Sequence, residues 1–104
     1  MKFDIILAPE AIEDLNSFKA NVRSEVRDAV EQHLRHDPRK TSKSRIKRLR
    51  GTKRPKYRLR VRDDIRVFYD VTDDAVEILA VIRKSEADQW LQQFGEPDET
   101  DRPD

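Results

Sequence analysis

The 104-residue sequence contains no cysteine, which removes disulfide frameworks, thiolate zinc sites, iron–sulfur clusters and cysteine nucleophiles. Glycine is nearly missing as well. Only Gly51 and Gly95 occur, so there is no glycine-rich loop to wrap a nucleotide phosphate. No apolar run approaches the roughly 20 residues that cross a bilayer. The N-terminus has no basic stretch leading into a long apolar one, so neither a membrane segment nor a secretory signal is expected. Two histidines, His33 and His36, are too few for most metal sites. The composition leaves the expectation of a soluble cytoplasmic domain that works without cofactor or metal. One domain is expected at this length, and with 36% hydrophobic residues its core must be small and efficiently used.

No sign of charge dominates the whole chain, which carries 22 Lys plus Arg against 21 Asp plus Glu. The distribution is another matter. Residues 35–66 hold fifteen basic and three acidic residues, a net of +12, and the rest of the chain holds seven and eighteen, a net of −11. Such segregation suggests a surface built for a polyanion.

Lys2 to Leu7 is short, apolar and rich in β-formers, which predicts a first strand. Pro9 suits the first turn of a helix, and the spacing of Ala11, Leu15 and Phe18 predicts an amphipathic helix from Pro9 to about Ala20. A second helix, with Asn21 as its expected N-cap, carries Val22, Val26, Val30 and Leu34 on one stripe and stops before Pro38. Asp37 to Lys56 reads as a basic loop, with a short ordered piece at Ile46 and Leu49. Three strands follow: Tyr57–Arg62, Ile65–Val71 and Ala75–Arg83, the last two joined by a tight Asp73-Asp74 turn. Ala87, Trp90, Leu91 and Phe94 predict a C-terminal helix over Lys84–Phe94, ended by Gly95. Trp90 and Phe94 are expected to pack into the core. The order β-α-α-β-β-β-α predicts a two-layer α+β domain over residues 1–94: a mostly antiparallel sheet with the helices on one face. Residues 95–104 are acidic and are expected to be a disordered tail.

Strand alternation sorts the side chains. Tyr57, Leu59 and Val61 face the helices, with Ile65, Val67, Tyr69 and Val71 beside them. Arg58, Arg60 and Arg62 point away. Matching the apolar sets pairs Val61 with Ile65 through a three-residue loop and sets Arg60 across from Arg66. The Asp73-Asp74 turn pairs Val71 with Val76. Extended without interruption, this register puts Ile78, Ala80 and Ile82 in the core and Val81 opposite Arg66. Arg83 then falls on the same face as Arg58, Arg60 and Arg66, with Phe68 exposed among them. Like charges side by side destabilise a sheet, so four gathered arginines imply a bound anion. The arginine fork matches phosphate, and Phe68 offers a stacking surface for a base.

On Leu49-Arg50-Gly51, Tyr57-Arg58-Leu59-Arg60-Val61, Ile65-Arg66-Val67-Phe68-Tyr69 and Arg83-Lys84-Ser85-Glu86-Ala87, the chain resembles the RelE/ParE superfamily of toxin–antitoxin toxins, in its RelE-type mRNA interferase branch. The resemblance spans about residues 2 to 94. It implies the RelE-like fold, an mRNA endoribonuclease that works in the ribosomal A site without a cofactor, and a cognate antitoxin, with ribosome and mRNA as further partners. It implies that a 2′-hydroxyl attacks the adjacent phosphate, with Arg58, Arg60, Arg66 and Arg83 as the catalytic set. Lys47, Arg48, Arg50, Lys53, Arg54, Lys56, Arg62, Phe68 and Lys84 are the expected RNA-binding residues. Arginines stand where well-known members carry lysines, and Gln89 and Trp90 stand where some carry an aromatic hydroxyl. Proton transfer would then fall to Tyr57, Glu86 or the ribosome. The alternatives within the same resemblance are a ParE-type gyrase poison and an inactive member that only binds RNA or protein.

Overall fold

A computed structural model describes residues 1–98. Strand β1 (Asp4–Leu7) leads into helix α1 (Pro9–Asn16) and helix α2 (Ala20–Leu34). Two short strands follow, β2 (Ile46–Arg48) and β3 (Thr52–Arg54), and then the meander of β4 (Tyr57–Val61), β5 (Ile65–Val71) and β6 (Ala75–Arg83). Helix α3 (Lys84–Phe94) and the two-residue strand β7 (Glu96–Pro97) complete the described chain. The main sheet runs β1-β6-β5-β4-β2, with β1 parallel to β6 and the other pairs antiparallel. This is the expected α+β architecture. No described helix is long and apolar enough to cross a membrane.

One face of the sheet packs on α1 and α2. Leu59, Val67, Tyr69 and Val76 are fully buried there against Ala11, Leu15, Val26 and Leu34. Burying each large aliphatic or aromatic side chain contributes about 1.5–3 kcal/mol. The Tyr69 hydroxyl donates to the Pro38 carbonyl at 2.7 Å, which satisfies its one polar group in an apolar setting.

Several expectations need correction. Helix α1 stops at Asn16, and α2 begins at Ala20 with Lys19, not Asn21, in the capping position and no side-chain cap bond. The basic loop is partly ordered into β2 and β3, strands of three residues each, too short for an alternation signal. Strand β4 ends at Val61 because Arg62 adopts a left-handed φ of 57°, a turn conformation that stops the ladder. Glu96 and Pro97, expected in the disordered tail, pair with Arg54 and Thr52. Residues 99–104 of the expected tail lie outside the described residues.

The largest correction concerns β6. Tyr69 pairs with Ile78, yet Phe68 pairs with Ala80, so Leu79 is an extra residue in a β-bulge. Beyond it the register is shifted by one. Val67 faces Val81, Arg66 faces Ile82 and Ile65 faces Arg83. Val81 therefore belongs to the helix-facing core, while Ala80 and Ile82 turn to the other side. Beyond the Leu7–Ile78 pair the outer edge of β6 has no strand partner among the described residues, and the Asp14 carboxylate takes over by accepting the Val81 N–H at 3.0 Å. Helix α3 covers the second face. Its Trp90 stacks on Phe68 with ring centroids 5.1 Å apart and planes 8° from parallel. The three helices thus lie on both faces, with Trp90 only half-buried and Phe94 exposed rather than in the core.

Candidate nucleic-acid interface

The β4–β5 hairpin sets the site. Its loop, Arg62-Asp63-Asp64, is closed by the Val61–Ile65 pair, and Arg60 stands directly across from Arg66. One pair further in, Arg58 faces Phe68, and β2 brings Lys47 across from Arg58. Lys47, Arg58, Arg60 and Arg66 therefore share the face turned away from α1 and α2. Arg45, which sequence reasoning missed, lies beside Arg60, whose backbone N–H donates to the Arg45 carbonyl at 2.8 Å. Only the pairing of the short β2 strand reveals it.

The partners of these arginines are unequal. Arg66 is only 7% exposed and donates from Nη1 to the carbonyls of Ile65 (2.9 Å) and Asp63 (3.2 Å). Among the described residues no carboxylate is bonded to it. Arg60 is paired with the exposed Asp63 side chain, and its Nε donates to the Arg62 carbonyl at 3.3 Å. Arg58 Nη1 is buried with no hydrogen-bond partner among the described residues. Burial, then the charges of Arg66 and Arg60, push the Arg58 guanidinium below its ordinary range. Burial and Arg60 do the same to Arg66, against the opposing pull of Asp63 and Asp64. Arginine nevertheless stays charged at neutral pH. Three cations thus crowd together and only Arg60 is paired with a carboxylate among the described residues, and a buried donor without an acceptor costs about 1–3 kcal/mol. An anion placed on this face would relieve both penalties.

The remaining predicted residues divide. Lys84 is brought to the loop end of the face: its N–H donates to the Asp64 carbonyl at 2.8 Å, and its charge helps hold the Asp63 carboxyl below the usual range, after the larger effect of Arg60. Arg50 and Arg48 line a shallow groove with Lys47, although Arg48 pairs with Tyr57 and so sits on the opposite side of the sheet. Lys53 and Lys56 are exposed, and Arg54 lies 3.8 Å from Asp70. Arg62 turns away to Glu25 of α2 (3.8 Å) and Asp64 (3.4 Å).

Four expected members do not join the site. The bulge rotates Arg83 onto the helix side, where its guanidinium lies 5.3 Å from the Phe18 ring centroid. Phe68 is 1% exposed beneath Trp90, so the bare stacking platform does not exist. Tyr57 is buried in the core, stacked on Tyr69 at 5.5 Å. Glu86 stands near Asp14, whose carboxyl is raised first by burial and then by Glu13, Glu10 and Glu86, against the Val81 N–H that lowers it. Neither Tyr57 nor Glu86 reaches the arginines.

The family described as the ParE toxin of type II toxin–antitoxin systems, parDE, matches residues 5–88. The chain belongs to this toxin family. No curated protein matches the toxin by sequence. Solved structures extend the likeness to the RelE/ParE superfamily. The RelBE2 toxin–antitoxin complex from Mycobacterium tuberculosis aligns at 22% identity and a TM-score of 0.62, over 81% of this chain and all of that one. The archaeal RelE–RelB complex from Pyrococcus horikoshii aligns at 26% identity and 0.59, over 81% and 97%. The DinJ–YafQ complex from Escherichia coli aligns at 15% and 0.60, over 82% and 96%. The toxin thus shares their fold over about four-fifths of its length.

Proposed function

We propose that this toxin acts on RNA, cutting ribosome-bound messenger RNA in the A site, and that a cognate antitoxin restrains it. The supporting observation is the crowding of Arg58, Arg60 and Arg66, with Arg58 Nη1 left without a hydrogen-bond partner among the described residues: a cationic cluster in want of an anion. Lys47, Arg45 and Lys84 would extend the contact along the backbone of a strand. Guanidinium groups here would bind the scissile phosphate, hold the neighbouring 2′-hydroxyl in line and stabilise the charge that grows on the phosphoryl oxygens. The attack joins the 2′-oxygen to phosphorus and expels the 5′-oxygen, leaving a cyclic phosphate. The proton of the hydroxyl needs an acceptor. Asp63, held by Arg60 below the usual carboxylate range, is a weak base, so the ribosome would supply the proton path. The three similar structures compared above are toxin–antitoxin complexes, which supports an antitoxin partner. Ribosomes place this activity in the cytoplasm.

A gyrase poison is the second reading. The family description as a ParE toxin favours it, as does the lack of a proton-transfer side chain bonded to Arg58 or Arg66 among the described residues. The test adds purified toxin to programmed ribosomes and, separately, to gyrase with supercoiled DNA. A-site cuts with cyclic phosphate ends, lost in Arg66→Ala, are expected. Trapped gyrase–DNA cleavage with intact message would select the second reading. RNA affinity without cleavage of either substrate would mark an inactive member.

A further inference from the structure

The arginine face changes character at its loop end. Neither Arg58 nor Arg66 has a carboxylate within 4 Å among the described residues. At the β4–β5 turn, however, an open pocket lined by Ser44, Arg45, Arg60 and Arg62 also carries Asp63 and Asp64. Two carboxylates repel a phosphate, so this end is ill suited to the sugar–phosphate backbone. The two acids differ. Asp64 lies 3.4 Å from Arg62, which turns toward Glu25 of α2. Asp63 has one oxygen, Oδ1, held by Arg60, and its side chain is 90% exposed. Arg60 also keeps the Asp63 carboxyl below the usual range, so it is ionised at neutral pH. Asp63 therefore presents a positioned, charged acceptor to solvent. Arg45 lines the same pocket, and its guanidinium makes one long bond, 3.4 Å, to the Arg60 carbonyl. Its five donors can serve the backbone and a base together.

We infer that this pocket reads a guanine base beside the phosphate held by Arg58 and Arg66, with Asp63 as the reading residue; the inference rests on the RNA reading above. Unstacked bases of single-stranded RNA are recognised on their Watson–Crick and Hoogsteen edges. Guanine alone among the four bases offers two adjacent donors, N1–H and the N2 amine, which match the two oxygens of one carboxylate. Its neighbouring acceptors, O6 and N7, suit the Arg45 fork. Adenine would set its N1 acceptor against the Asp63 carboxylate. Cytosine and uracil each offer one donor, flanked by acceptors. The acid that relieves Arg60 thereby also selects the base.

Fluorescence anisotropy with labelled RNAs of the form UUXUU tests this on the isolated toxin, where X is guanine, adenine, cytosine, uracil or hypoxanthine. Sugars methylated at the 2′-oxygen keep the RNAs intact. The guanine RNA should bind roughly 10-fold more tightly than those with adenine, cytosine or uracil. Hypoxanthine lacks only the N2 amine and should fall between. Asp63→Asn should erase the gap between guanine and uracil, while affinity for the uracil RNA rises with the loss of a negative charge. Asp64→Asn makes the same change of charge and should keep the gap. If Asp63 only neutralises Arg60, its Asn variant raises all five affinities alike and the gap survives, which overturns the inference. A gap erased in both variants also removes Asp63 as the reader. Equal wild-type affinities overturn the inference even if a variant misfolds. Binding without preference sinks this inference alone, whereas no binding to any of the RNAs sinks it together with the RNA reading.

Discussion

The two hairpins of the meander share β5 and differ by one residue. Between β4 and β5 every pair follows strict alternation, so the arginines of both strands meet on one face. Between β5 and β6 the extra Leu79 breaks the alternation and carries Arg83 to the opposite side. The same residue type at matched spacing therefore ends in two environments: a crowded cleft of like charges, or a guanidinium resting on Phe18. A bulge is a small local event, yet it decides the membership of a site, because every side chain beyond it changes face.

The strongest way to break this comparison is to delete one residue from each hairpin. Removing Arg60 from β4 leaves no register that keeps both Leu59 and Val61 in the core. We expect loss of the folded state, read as the absence of a cooperative thermal transition. Removing Leu79 from β6 only erases the bulge, and the pairs Phe68–Ala80 and Arg66–Ile82 can persist. That variant should still unfold cooperatively, with stability lowered by roughly 1–3 kcal/mol for the lost side chain. If it fails to fold, the bulge does more than set register.

A smaller effect sharpens the contrast between the faces. Arg58→Met removes an unpartnered buried donor and a like-charge neighbour. It should raise stability by about 1 kcal/mol in urea unfolding, while it weakens RNA binding. A destabilised Arg58→Met would mean that the guanidinium has partners of its own. The edge of β6 supplies a pH test. Burial raises the Asp14 carboxyl above its unfolded value, so the native state binds that proton more readily than the unfolded chain does. The wild type should therefore gain stability relative to Asp14→Asn as the pH falls from neutral through the raised native value. Asn keeps an acceptor for the Val81 N–H, so the difference between the two proteins isolates the charge. Equal pH profiles would remove Asp14 from the account. The smallest effect is expected at Lys47. Lys47→Ala should lower the slope of RNA affinity against salt by about 0.7, the value of one phosphate contact on a single strand.

Much of the fold was legible because apolar spacing is a strong signal where one face is buried. The β4–β5 register, the span of α3 and the Arg60–Arg66 pair all followed from it. Phe68 and Tyr57 were misread for a common reason. Alternation says which side of a sheet a residue occupies and is silent about what covers that side. Tyr57 lies in the helix-facing core, where the alternation put it, beyond reach of the arginines it was expected to serve. Phe68 does face away from α1 and α2, but α3 folds back over it. The pairing of Arg45 and Lys47 with β4 left no trace, since three residues cannot display a period.

Taken alone, the sequence determined the order of elements and the concentration of positive charge on one segment, because these follow from local apolar periodicity and residue order, and its strand motifs carried the resemblance to the toxin superfamily. Tertiary structure decided which cations meet. That choice depends on a backbone bulge, on the return of α3 across the sheet and on the side-chain carboxylate that finishes an unpaired edge. Each balances hydrogen bonding and burial between segments far apart in the chain, which no local pattern records.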